Sequence, residues 1–249
     1  VNNSGLYKID MSTFKIEDHY TLLTDYEGNS LRTFYIDKKG YIWFGTIDGI
    51  YIFDPTDGKL SHYKHSRTDP FSLPNNSIWE ISEDRQSNVW IGTYSGTLCY
   101  VNIDENNAFK TYHPQNSGLN HTPVSAFAED QQYLWVGTEG GGINRMNKAT
   151  GEFSYITSAN SITSNNIKSL ITDAGHNLWI STFMGGLDLY NVGRQKVTNF
   201  KHTKGAPHSL LVNDVRKTIL EGDSGMWVAY QYQKAEVSYF SFREESFTH

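Results

Sequence analysis

An all-β fold assembled from one repeated hairpin unit is predicted by three features of this 249-residue sequence. The first is a recurring stretch: an apolar run through Trp, a small residue, a turn and an alternating run. It occurs at Tyr41 to Asp54, Asn88 to Asn102, Tyr133 to Asn147 and Asn177 to Asn191, with a worn copy at Gly225 to Phe240. The second is spacing: Trp43, Trp90, Trp135, Trp179 and Trp227 stand 47, 45, 44 and 48 positions apart. The third is composition, 14% aromatic with 21 Gly against 6 Pro, which suits twisted strands joined by tight turns. A fixed period of about 40–50 residues is that of a four-stranded propeller blade. The expected architecture is therefore a β-propeller of four-stranded antiparallel blades, with about five and a half blades present, as a fragment of a seven-bladed ring.

Residues Gly5 to Tyr20 align with Gly49 to Tyr63, the strand C and D half of a unit, and nothing resembling strands A and B precedes them. Residues 1–24 are accordingly a leading half-blade. Trp-bearing blades follow at 30–66, 76–114, 122–158, 166–203 and 213–249. In the second of these, Asn76 to Ser82 reads as strand A, Val89 to Thr93 as B, Thr97 to Asn102 as C and Ala108 to His113 as D. The turns between A and B are acidic or glycine-bearing, with Asp37 and Gly40, Glu83 and Asp84, Glu129 and Asp130, Asp173 and Gly175, and Glu221 and Asp223. Short polar side chains and Gly are what a tight hairpin requires.

Strand B is apolar almost throughout, as a middle strand covered on both faces should be. Two residues after each Trp stand Gly45, Gly92, Gly137, Ser181 and Ala229, all small, which predicts a crowded approach between sheets. The Trp series itself reads as core between blades. Trp79 lies outside the series.

Charge and motif content narrow the function. The net charge is −6, and the 21 Lys and Arg form no basic block of the kind that nucleic acid or an anionic membrane attracts. No run of 18 apolar residues occurs, so no direct membrane insertion is expected of this segment. The start of the chain lacks both a Met and an apolar signal core, and is expected to be an internal point of a longer protein. The single cysteine, Cys99, precludes an internal disulfide and reads as a buried thiol in a strand. No Cys or His cluster has zinc-like spacing, and no metal or cofactor is expected. Gly140, Gly141 and Gly142 belong to a hairpin turn with no following helix, so they do not form a phosphate cradle.

The turn followed by L-W-[IV]-G-T, two variable residues, G-G-[LI] and an alternating run ending in Asn or Asp resembles the two-component regulator propeller repeat. The connectors Arg67 to Ile78 and Thr157 to Leu170 also match its linker, with Ser-Leu or Ile before an Asn-bearing entry to strand A. This resemblance covers essentially the whole chain. It implies the periplasmic sensor region of a Bacteroides-type hybrid two-component histidine kinase, which recognises polysaccharide breakdown products. Such proteins continue into an immunoglobulin-like domain, a membrane helix and a kinase. On that reading the partners are an oligosaccharide, further blades or a second propeller of the same protein, and a second copy in a homodimer. The segment itself would not be an enzyme, although the full-length protein would be a histidine kinase.

In a propeller the B to C turns and D to A connections share one face, and function lives on such loops. The B to C turns differ between copies, whereas their flanks do not. Arg67, Tyr94, His121, Glu139, Phe183 and Tyr232 are the candidate ligand-binding residues, because aromatic faces beside planar hydrogen-bonding groups suit sugars. A protein-interaction propeller is the first alternative. A sialidase-like or other glycan-active enzyme is the weaker one, since only seven Arg occur and Asp48 and Glu139 lie two blades apart.

Overall fold

The computed structural model describes residues 6–20, 31–94, 97–102, 106–231 and 237–249. Strands account for the regular structure, and no helix occurs among the described residues. A hairpin, β1 (Leu6–Ile9) with β2 (Ile16–Tyr20), opens the chain. Five four-stranded antiparallel sheets follow, each laid down in sequence order. Sheet 1 is β3 (Thr33–Ile36), β4 (Ile42–Thr46), β5 (Gly49–Phe53) and β6 (Leu60–Tyr63). Sheet 2 is β7 (Ile78–Glu83), β8 (Val89–Thr93), β9 (Leu98–Asn102) and β10 (Asn106–Tyr112). Sheet 3 comprises β11 (Val124–Glu129), β12 (Tyr133–Thr138), β13 (Gly142–Asn147) and β14 (Phe153–Ile156). Sheet 4 comprises β15 (Ile167–Thr172), β16 (Leu178–Thr182), β17 (Gly186–Asn191) and β18 (Lys196–Phe200). Sheet 5 comprises β19 (Val215–Glu221), β20 (Gly225–Tyr230), β21 (Val237–Ser241) and β22 (Ser246–Thr248). The meander order within every sheet makes the strands of each the A, B, C and D strands of a blade. Residues 1–111 form one compact unit and 112–249 a second.

The second strand of each sheet supplies the core. In the first unit Trp43 packs with Ile78 and Ile81 of the following sheet. In the second unit Trp135 packs with Ile167 and Leu170, and Trp179 with Val215, Val228 and Phe240. An indole so enclosed must still place its N–H against an acceptor. The A to B turn provides one each time: Trp43 Nε1 donates to Asp37 Oδ2 at 2.9 Å, Trp90 to Asp84 at 2.8 Å, Trp135 to Asp130 at 3.0 Å and Trp179 to Asp173 at 3.0 Å. The same carboxylates accept backbone N–H groups of their own turns, as Asp84 Oδ1 does from Gln86 and Asn88, both at 2.9 Å. One residue type thus closes the hairpin and orients the indole.

The small residue two places after Trp sits where neighbouring sheets meet. A methyl group added at Gly45 would come within 2.7 Å of Ile78 Cγ2, and one at Gly137 within 2.6 Å of Ile167 Cγ2. Cys99 is fully buried in β9, and burial pushes its thiol well up from its ordinary value.

Two expectations need correction. Trp227 is not a core residue: it is 45% exposed and lies against Tyr239 of its own sheet at 5.1 Å. Its face carries exposed Ile219 and Val237 as well. The strands of sheet 2 also begin two residues away from the expected positions, at Ile78 for the first and Asn106 for the fourth. Part of the leading half-blade lies outside the described residues.

Asp84→Ala leaves the buried Trp90 N–H without its acceptor. It is expected to lower stability by about 3 kcal/mol, the upper end for a buried donor left unpaired. Asp223→Ala, in the sheet of the exposed Trp227, should change stability by less than about 0.5 kcal/mol. Urea denaturation of the two variants compares them directly.

Candidate functional site

In sheets 1, 3 and 4 the edge bearing the B to C turn is held by a repeated set of bonds. Thr46, Thr138 and Thr182 each donate their hydroxyl to the glycine carbonyl that ends the turn, Gly49, Gly142 and Gly186, at 2.8–3.0 Å. Gly142 and Gly186 adopt φ of +72° and +88° and face the strand D carbonyls of Ile156 and Phe200, where any side chain would collide. Their N–H groups donate to Asn165 and Asn213 carbonyls in the connection to the next sheet. Those same asparagines, like Asn76, accept at Oδ1 from a backbone N–H at the start of the connection, at 2.6–2.7 Å. The Asn of the linker motif is therefore a frame residue.

A second bond fixes the turn residue that varies between copies. Tyr94, Glu139, Phe183 and Gln231 each donate their N–H to the carbonyl of the residue just before strand A of their own sheet: Ser77, Pro123, Asn166 and Asp214. Strand A then bulges after its first residue, where the pairing register shifts in β7, β11, β15 and β19. A bulge re-aims one side chain out of the ladder. The bulged residues are Trp79, Ser125, Lys168 and Arg216, with Arg32 preceding β3 at the matching register.

Bulge and turn residues meet. In the first unit Trp79 lies 5.2 Å from Tyr94, and the Arg32 guanidinium lies 5.9 Å from the Trp79 ring and donates to Ser77 Oγ at 2.9 Å. The Trp79 N–H is buried without an acceptor among the described residues. In the second unit Lys168 pairs with Glu139 of the preceding sheet's turn, and its ammonium stands 5.5 Å above the Phe183 ring of its own. Only 11% of the Lys168 side chain and 21% of that of Glu139 are exposed, so the pair is largely shielded from water. Asp214 is 7% exposed and Gln231 half-buried; Asp214 Oδ1 and Gln231 Oε1 are buried without partners among the described residues. Burial raises the Asp214 carboxyl above its ordinary value, against the opposing pull of the Lys168 and Arg216 charges.

Of the sequence-derived candidates, Tyr94, Glu139 and Phe183 occupy this turn position. His121 lies over the same turn as Glu139, close enough that a methyl group at Gly140 would meet its ring at 2.7 Å. Arg67 is exposed in the connection between β6 and β7. Arg67 and Tyr94 belong to the first unit and His121, Glu139 and Phe183 to the second. Tyr232 lies outside the described residues; the register equivalent of Phe183 in sheet 5 is Gln231. Several other rim residues serve the frame. His65 and His202 each place Nδ1 2.7 Å from a loop carbonyl, that of Leu73 or Leu210, and Asp48 pairs with Lys64 at 2.7 Å. Sequence reasoning missed the bulged residues. Aligning the entries to strand A, with Trp79, Ser125, Lys168 and Arg216 in one column after an invariant Ile or Val, exposes the same disagreement between copies that marked the turns.

A cleft of about 410 Å³ lies at the other end of sheets 4 and 5, lined by Trp179, Phe200, Phe240, Phe242, Asp173 and Asp223 among others. Its aromatics are committed to one another, with Trp179 stacked on Phe242 at 5.6 Å and on Phe200 at 5.7 Å. Asp173 is held by Trp179 and Asn177. This is a seam of the core that opens to solvent, whereas buried polar atoms without partners among the described residues lie at the B to C ends of their own sheets, Trp79 in the first unit and Asp214 and Gln231 in the second.

These sheets have the make-up of β-propeller blades: four antiparallel strands in meander order, repeated with one spacing. Residues 25–48 and 72–95 match the two-component regulator propeller family. Histidine kinase P4 of Formosa agariphila is 27% identical over 201 residues, covering 74% of this chain and 14% of that protein. The extracellular domain of a hybrid two-component system from B. thetaiotaomicron superposes with a TM-score of 0.77 at 20% identity, over 98% of this chain and 32% of the other. PorZ, a surface component of the type-IX secretion system of Porphyromonas gingivalis, gives 0.67 at 14% identity over 90% of this chain and 34% of its own. The structural likenesses establish the fold. The chain spans about a seventh of the kinase and about a third of each solved structure.

Two outcomes follow from the second-unit cluster. Lys168→Met strands the shielded Glu139 carboxylate and should cost about 1–3 kcal/mol, while Glu139→Gln with Lys168→Met should recover most of it; a double-mutant cycle by urea denaturation measures the coupling. For Asp214, burial favours the neutral form in the folded state. Its contribution to stability is therefore full below the ordinary carboxylate value of 3.8 and is lost as pH rises toward the higher folded value. Asp214→Asn should flatten that part of a stability profile recorded from about pH 3 to 7.

Proposed function

We propose that this chain is the ligand-sensing propeller segment of a two-component sensor, located in the periplasm and binding a polysaccharide-derived oligosaccharide. It acts without catalysis and signals to a membrane-attached histidine kinase in the same protein. The observation carrying this reading is the division of the B to C edge. Thr, Gly and Asn positions recur as frame, while turn and bulge positions diverge into aromatic and charged clusters at Trp79 and Tyr94 and at Lys168 and Phe183. Aromatic faces next to fixed donors and acceptors match the alternating C–H faces and hydroxyls of a sugar. The match to regulator propeller repeats and the likeness to a histidine kinase support the signalling half. Ligand binding would shift the population of sensor arrangements, and the kinase would read that shift.

A protein-association role is favoured by a separate observation. Ile219, Trp227 and Val237 expose an apolar face on sheet 5, and Phe34 and Ile36 do so on sheet 1. Faces of this kind are covered in assemblies by further blades, a second propeller or a second copy in a homodimer. The two roles are compatible in a sensor.

Isothermal titration of the full-length sensor ectodomain against polysaccharide-derived oligosaccharides tests the proposal. Saturable binding, weakened at least about tenfold by Tyr94→Ala or Phe183→Ala, is expected, since a lost aromatic stacking face is worth about 1.4 kcal/mol. No binding to any glycan class would refute it, and turnover of the glycan would replace it with an enzymatic reading.

A further inference from the structure

The Glu139, Lys168, Phe183, Asp214, Arg216 and Gln231 cluster has a definite chemical bias. Three sheets contribute to it: Glu139 comes from the turn of sheet 3, Lys168 and Phe183 from sheet 4, and Asp214, Arg216 and Gln231 from sheet 5. The N–H of Gln231 donates to the Asp214 carbonyl at 3.1 Å, which places their side chains on the same edge. Lys168 answers Glu139 and stands over Phe183, and the Lys168 and Arg216 charges act on Asp214. Two cations face two carboxylates, so the cluster is balanced without a ligand.

Hydrogen-bonding capacity is not balanced. Asp214 Oδ1 and Gln231 Oε1 are buried acceptors with no donor among the described residues, although Asp214 is more than nine-tenths covered. An acceptor left unpaired out of water is costly, and a ligand that brings donors relieves that cost. Hydroxyl groups supply donors without adding charge. Carboxylates and sulfates supply acceptors only, and would set a third anionic group beside Glu139 and Asp214 while leaving both oxygens unpaired. We infer that Asp214 Oδ1 and Gln231 Oε1, beside the Lys168-capped Phe183 ring, form a subsite for the hydroxyls of a neutral sugar residue that excludes uronic acid and sulfated residues at that position. Specificity of this kind comes from a site whose polar groups are satisfied by one ligand and abandoned by another.

This rests on the oligosaccharide-sensing reading above. The test uses the full-length ectodomain and length-matched probes: neutral glucan, xylan and mannan hexasaccharides against oligogalacturonate and sulfated hexasaccharides. At least one neutral class should bind, more tightly than either charged class by about tenfold or more. Asp214→Leu should abolish that preference by weakening the neutral ligand about tenfold or more, with Asp214→Asn, which keeps one acceptor oxygen, intermediate. Circular dichroism melting confirms folding, and Gln231→Leu replaces Asp214→Leu if the latter does not fold. Equal or tighter binding of a charged class, or unchanged neutral affinity in Asp214→Leu and Gln231→Leu, overturns the subsite while leaving the sensor reading intact. Binding of none of the probes removes both.

Discussion

The hydrogen bond from a strand B indole to an A to B turn aspartate governs most of what this molecule does structurally. A tryptophan buried between sheets contributes a large apolar surface but carries one polar atom that cannot be abandoned. Because Asp37, Asp84, Asp130 and Asp173 also accept the backbone N–H groups of their turns, hairpin closure and indole orientation are one event. Within each unit the oriented rings of Trp43, Trp135 and Trp179 pack with the next sheet, and Gly45 and Gly137 remove the side chains that would hold that sheet away. Sheet 5 shows the dependence by contrast. The Trp227 ring, counterpart of rings that are core in the other sheets, is 45% exposed here.

With the A to B end devoted to this closure, the opposite edge carries chemical variety. Its backbone is no less constrained: in sheets 1, 3 and 4, Thr hydroxyls, positive-φ glycines and linker asparagines bond the turn to its own sheet and to the connection that follows. What they leave open is three side chains per sheet, before, at and opposite the strand A bulge. A rigid frame that fixes side-chain positions while leaving their identity free is the usual basis of a recognition surface. Neighbouring sheets share it, since Lys168 reaches both the turn of sheet 3 and that of sheet 4. A ligand here would touch several blades at once, which gives it leverage on how those blades are arranged.

The frame was readable because it repeats. Trp spacing, acidic turns and small residues after Trp are local requirements met the same way each time, so five copies vouch for one another. The turn candidates Tyr94, Glu139 and Phe183 were readable as the places where copies disagree. The bulge residues were not, because alternation along strand A assigns Trp79 and Lys168 to a sheet face; only a shift in pairing register turns them toward the turn.

The sequence by itself determined the all-β class, the blade period, the strand composition of each blade and the edge on which variety accumulates. All of these follow from short-range chemistry: turn residues, apolar runs and one conserved spacing within this chain. Only the tertiary structure decided which side chains meet across sheets, that Lys168 is claimed by Glu139 while Asp214 and Gln231 keep unpaired oxygens, and that Trp227 faces outward. The reason is that burial and pairing are properties of neighbours distant in sequence, and a repeat that fixes each blade leaves open what the adjoining blade brings to it.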